Sequence, residues 1–119
     1  MAADREQVKE FLLRLKMTLS QEGKLAFVER EKNVQSLAML GMLPSEVPSV
    51  LRELSVSDYS EGPLDDDRGR PIQWWVFGPN YCGIVLYIKV AVYSGRCICM
   101  SFHEAEYNLT CPFRREVEK

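Results

Sequence analysis

A single histidine, His103, stands in a chain of 119 residues, and the four cysteines include no C-x-x-C pair. That absence argues against a structural zinc site, whose ligands come in such pairs at short spacing. No apolar run approaches the roughly 20 residues that cross a bilayer as a helix, and Met1-Ala2-Ala3-Asp4-Arg5 carries no apolar signal core. The expected location is therefore the cytoplasm, with no membrane contact, where Cys82, Cys97, Cys99 and Cys111 stay reduced. No repeat or low-complexity stretch divides the chain, so residues 1–119 read as one domain. Between Pro71 and His103 there is no Asp or Glu, although the net charge is −2. The acidic balance excludes strong long-range attraction of nucleic acid, but the acid-free segment, with Lys89 and Arg96, leaves room for a local phosphate site. The acids gather just upstream, at Glu61, Asp65, Asp66 and Asp67, and read as a solvated loop.

What the chain has in place of these is a strong strand pattern from Gly83 to His103. Leu86, Ile88, Val90 and Val92 alternate with Tyr87, Lys89, Ala91 and Tyr93, and Ile98, Met100 and Phe102 alternate with Cys97, Cys99, Ser101 and His103. Such alternation marks two antiparallel strands with one buried face, joined at Ser94-Gly95-Arg96. A two-residue turn would set Tyr87 against Phe102 and mix apolar and polar side chains on both faces. A three-residue turn with Gly95 at positive φ pairs Tyr93 with Cys97, Ala91 with Cys99, Lys89 with Ser101 and Tyr87 with His103. Every large aliphatic then falls on one face. Tyr87, Lys89, Ser101 and His103 share the other, with cross-strand Cβ atoms roughly 5 Å apart.

The rest of the chain supplies helices first. Val8, Phe11, Leu12, Leu15 and Leu19 make one apolar stripe over residues 4–19, ended by Gln21-Glu22-Gly23. Residues 24–28 read as an edge strand. A second helix over residues 33–40 puts Val34, Leu37 and Leu40 inward and stops at Gly41, and a third, capped by Ser45, buries Val47, Val50, Leu51 and Leu54. Residues 55–70 read as an exposed loop, Ile72–Gly78 as a strand, Glu104–Phe113 as an extended return, and residues 114–119 as a frayed tail. Helices followed by at least three antiparallel strands give a two-layer α+β domain.

Asp58-Tyr59, Trp75-Val76-Phe77-Gly78, Gly83 followed by Tyr87-Ile88-Lys89, and Ser101-Phe102-His103, in that order over most of the chain, resemble the MqsR family of bacterial type II toxins, in its longer branch ending Ser-Phe-His. The resemblance implies a RelE-like fold and a metal-independent endoribonuclease that cleaves mRNA, free or on the ribosome, without a cofactor. A cognate antitoxin would hold it inactive. It also implies an active-site Tyr and Lys on adjacent strands. The Tyr falls on Tyr87 and the Lys on His103, while the family's other proposed Lys and Gln fall near Glu61 and Trp75 or Val76 and are not kept.

Such cleavage needs a base for the 2′-hydroxyl, an acid for the 5′-oxygen and donors for the phosphoryl charge. The candidates are His103 as acid or base, Tyr87 as hydroxyl donor and Lys89 as phosphate cation, helped by Arg96, Arg30 or Lys32, with Trp75 as a surface for stacking on a base. His103 could instead be a strand-end histidine hydrogen-bonded to Glu104 or Tyr87 for structural reasons alone. Trp74 and Trp75 point to opposite faces, so one of them belongs to the core. Cys97 and Cys99 would share a face with His103, but Cys99 lies roughly 13 Å from it along the strand, too far for one metal ion. Three functions remain open: the ribonuclease toxin, an inactive module keeping the antitoxin-binding surface, and a metal-binding regulator.

Overall fold

Asp4 starts the first helix. Its carboxylate accepts from the Gln7 amide at 2.8 Å, and the Gln7 side chain accepts from the Asp4 N–H at 2.9 Å, so two otherwise unpaired donors of the first turn are satisfied. The computed structural model describes residues 2–114. In it helix α1 (Arg5–Leu19) buries the stripe Val8, Phe11, Leu12, Leu15 and Leu19. Strand β1 (Leu25–Phe27) and helix α2 (Glu31–Leu40) follow, the helix ending where Gly41 takes φ 67°. A 3₁₀ turn at Pro44–Glu46 leads into α3 (Val47–Arg52), and Val47, Leu51 and Leu54 are buried against α1 and the sheet. No helix among the described residues is long and apolar enough to cross a membrane.

The sheet comprises β1 with β2 (Tyr59–Asp65), β3 (Gln73–Phe77), β4 (Asn80–Tyr81), β5 (Ile84–Tyr93) and β6 (Arg96–Glu104). Its order is β1-β6-β5-β3-β2, with β4 paired to β5. All pairings are antiparallel except β1 with β6. The architecture is the two-layer α+β arrangement, helices on one face of the sheet. Three expectations are corrected. Residues 55–70 are not a loop throughout, because β2 pairs with β3 across two register shifts. Gly62 makes that irregular pairing feasible: its φ is 128°, and a Cβ there would lie 2.7 Å from the Trp74 carbonyl oxygen. Val34, expected inward, is 50% exposed, and the buried face of α2 carries Asn33, Ser36 and Leu37. Arg114 is not frayed, since its guanidinium donates to Asp58 and to the Gly78 carbonyl. The remainder of the expected tail lies outside the described residues.

The central hairpin combines both registers weighed from the sequence. Tyr93 pairs with Arg96 across a two-residue turn in which Ser94 and Gly95 both have positive φ, 54° and 75°. Val90 then faces Cys99. Between Lys89 and Val90 the register shifts by one, so Lys89 pairs with Ser101 and Tyr87 with His103, as the burial pattern requires. The extra residue is Met100, and this bulge turns over the near half of β6. Cys97 and Cys99 therefore enter the main core with Phe102, while Ile98 and Met100 join Ile72, Trp74 and Ala91 in a smaller cluster on the opposite face. The expectation that Ile98 and Met100 share a face with Phe102, and the cysteines one with His103, is thus reversed.

Asn33 holds the bulge. Strand β1 pairs with β6 only as far as Phe27 and the Val28 N–H, which donates to the Cys99 carbonyl. Beyond that point the edge of β6 has no strand beside it. The fully buried Asn33 amide takes the strand's place: it donates to the Met100 and Val28 carbonyls at 2.9 and 2.8 Å and accepts from the Phe102 N–H at 3.0 Å. A buried peptide group left unpaired costs about 1–3 kcal/mol. Replacing Asn33 by Ala should therefore lower unfolding free energy by about 3 kcal/mol in urea titrations, while Val34→Ala stays within about 0.5 kcal/mol of the parent. Equal effects at the two positions would show that the amide is not what fixes the strand.

Candidate active site

Tyr87 and Lys89 alternate with Ile88 along β5, so packing Ile88 into the core aims both polar side chains at the helix-free face. Ser101 and His103 reach the same face from β6 because the bulge has restored the register there. The Tyr87 and His103 rings stack with centroids 5.3 Å apart and planes 12° from parallel. Tyr107, beyond the end of β6, closes a third side with its centroid 6.3 Å from that of Tyr87. From the β1–α2 connection Arg30 reaches across β6 and donates to the Ser101 hydroxyl at 2.7 Å. These residues line one cleft of about 330 Å³.

The hydrogen bonding of His103 fixes its proton. Nδ1 lies 2.9 Å from the Glu104 carbonyl oxygen, which can only accept, so Nδ1 carries the hydrogen. In the neutral ring the lone pair is then on Nε2. That nitrogen has no hydrogen-bond partner among the described residues, and no polar side-chain atom among them is both sealed and unpaired. Although His103 is only 6% exposed, Nε2 therefore opens on solvent. Of the two hydrogen bonds weighed for this histidine, the one to Glu104 is present, through its carbonyl, whereas Tyr87 stacks on the ring; neither contact occupies Nε2. Burial holds the Tyr87 phenol above its ordinary range, with Tyr107 and Glu61 adding to the effect, so it stays a hydroxyl donor at neutral pH.

Lys89 and Arg30 are positioned with no carboxylate bound to either among the described residues. Lys89 Nζ lies 6.0 Å from the centre of the Trp74 ring, whose indole N–H donates to Asp66 at 3.1 Å. Asp66 is also gripped by Arg70 through Nε and a terminal nitrogen, both at 2.9 Å, and by the backbone N–H groups of Arg68 and Arg70. The acidic block is therefore only partly solvated: Asp66 is buried, whereas Asp65 and Asp67 are exposed on the cleft rim. Lys32, one of the expected phosphate cations, is bound to Glu106 at 2.8 Å, which holds the Glu106 carboxyl below its ordinary range.

Three expected site residues, Lys32, Trp75 and Arg96, do not line this cleft. Trp75 is buried in the main core, stacked on Phe11 at 4.6 Å, so it offers no face to a base; Trp74 is the tryptophan on the site side. Arg96 sits at the hairpin tip, roughly 20 Å along β6 from His103. Tyr107, Glu106 and Asp66 were not among the expected residues. The first two follow the end of β6, where no periodicity predicts direction, whereas the Asp66–Arg70 spacing within an acidic block was a readable signal. Cys97 and Cys99 face the core, and burial pushes the Cys97 thiol up to about 12 and raises Cys99 as well. Among the described residues no cluster of His, Cys, Asp and Glu is arranged to hold a metal ion. Comparison with protein-family models and with curated proteins finds no match for the chain.

The Arg70 guanidinium, the Trp74 indole and two backbone N–H groups hold the Asp66 carboxyl far below the usual carboxylate range. With the folded-state value below the unfolded one, ionised Asp66 stabilises the fold above about pH 4, and this is lost as pH falls further. Asp66→Asn should accordingly melt at lower temperature than the parent near pH 7, with the gap closing toward about pH 2 in calorimetric scans. A gap that is independent of pH would remove the charge from the explanation. A disulfide exchange reagent near pH 7 should modify the exposed Cys82 rapidly and leave Cys97 and Cys99 untouched until denaturant is added.

Proposed function

We propose that this chain is a small cytoplasmic endoribonuclease of the type II toxin class, cleaving mRNA without a metal and restrained by a cognate antitoxin. The likeness of its motifs to the MqsR toxins and of its α+β order to RelE-like folds supports that reading. The observation that carries it is the convergence of His103, Tyr87, Lys89 and Arg30 on one open cleft. In the proposed reaction His103 Nε2 takes the proton of the 2′-hydroxyl as the 2′-oxygen bonds to phosphorus. The bond from phosphorus to the 5′-oxygen breaks, and that oxygen takes a proton from Tyr87, giving a 2′,3′-cyclic phosphate and a 5′-hydroxyl. The Tyr87 proton is restored through solvent as His103 gives its own up. Lys89 and Arg30 offset the charge on the phosphoryl oxygens.

A second reading is favoured by the carboxylates of Asp65, Asp67 and Glu106 along the same cleft. Such a rim repels phosphate and attracts a basic segment, as an inactive module bound to an antitoxin-like partner would require. Expression and RNA-cleavage assays separate the two. If the first holds, the purified chain freed of partners cleaves RNA, and His103→Ala and Tyr87→Phe each lower the rate by about 10²–10⁴-fold with unchanged melting temperature. RNA left intact by the folded parent, or full activity in His103→Ala, would overturn it.

A further inference from the structure

His103 is a wall shared by two clefts. Opposite the Tyr87 side lies a second, of about 260 Å³, between α2 and the segment after β6. Into it open two groups that are more than nine-tenths buried, the first with no hydrogen-bond partner among the described residues and the second bonded only through Nδ1. One is the hydroxyl of Ser36, which is 8% exposed; it makes no hydrogen bond among the described residues, yet none of their polar side-chain atoms is sealed without one. The other is His103. Around them stand the exposed Gln35 amide, which donates to Glu31 at 3.0 Å, the 56% exposed Met39 side chain, the exposed Glu104, and Lys32 at the mouth with Glu106. The Ser36 hydroxyl is therefore reached by solvent and is free to bond a ligand in the cleft. A hydroxyl and an amide beside an apolar thioether wall, with a cation at the rim, match a nucleoside and its phosphate: polar base edge, apolar ring face and anion.

We propose that this second cleft binds a nucleotide, the one adjoining that held on the Tyr87 side, so that the RNA strand crosses His103 with the scissile phosphate over Nε2. The inference rests on the ribonuclease reading and adds Ser36, Gln35 and Met39 as substrate-binding residues. It also gives the Lys32–Glu106 pair a consequence. Both side chains are largely exposed, Glu106 lining both clefts and Lys32 the second, so strand entry must displace or share that ion pair.

The test uses the whole chain and a random-sequence RNA hexamer whose 2′-hydroxyls are methylated, which removes the nucleophile and leaves binding. Amide and methionine-methyl resonances are followed by NMR, and cleavage of ordinary RNA is assayed in parallel. Expected are shifts at Gln35, Ser36 and Met39 together with those at Tyr87 and Tyr107, and hexamer binding about tenfold weaker in Ser36→Ala and in Gln35→Ala. The Gln35→Ala arm guards against misfolding, since that residue is exposed. Shifts confined to the Tyr87 side, in a chain that cleaves RNA, would overturn the second subsite and leave the ribonuclease standing. Neither binding nor cleavage would overturn both.

Discussion

The side-chain amide of Asn33 is the constraint on which the hairpin geometry depends. A hairpin closed by a two-residue turn at Ser94-Gly95 and continued without interruption would pair Tyr87 with Phe102, turning Phe102 to the polar face and Ser101 and His103 into the core. The single extra residue at Met100 removes that conflict. An extra residue disrupts the local ladder, and here it does so where β1 has just ended. Asn33 resolves both shortages by presenting one carbonyl and one N–H₂ to β6, much as another peptide group would.

Sequence patterning reached as far as interactions between near neighbours and stopped where a distant residue decides. The α1 stripe was legible because every buried position repeats at helical spacing, and so was the Tyr87–His103 pairing, since burying Ile88 and Phe102 demands it. The bulge was not legible. It carries no glycine, and the amide that satisfies it is 67 residues away from Met100 in the chain. Strand β2 was hidden for a related reason: Gly62 and Pro63 are ordinary marks of a turn, and only the backbone of Trp74 and Trp75 against Gly62 shows why a glycine sits within a strand. Trp75 was assigned to the wrong side because alternation says that two adjacent tryptophans diverge without saying which one meets the helices.

The same logic explains the cysteines. Their alternation with Ile98 and Met100 suggested the smaller residues on the polar face, yet the bulge places them in the main core. Their burial makes thiolate formation costly, so they serve as small apolar groups rather than as ligands or nucleophiles.

Lys89 shows how the cleft can hold a cation ready for an anion. A carboxylate partner would neutralise it and would have to be displaced by phosphate. A ring face is a weaker anchor, worth about 0.5–2 kcal/mol, and leaves the ammonium its hydrogen-bonding capacity. That anchor is useful only if the ring is fixed, and Trp74 is fixed by Asp66, which Arg70 and two backbone N–H groups hold in turn. The buried carboxylate thus acts on the cleft at one remove, with its charge already spent on Arg70. Arg30 follows the same rule from the β1–α2 connection, resting on the neutral Ser101 hydroxyl, so that both cations line the cleft with His103 and no carboxylate is bound to either among the described residues.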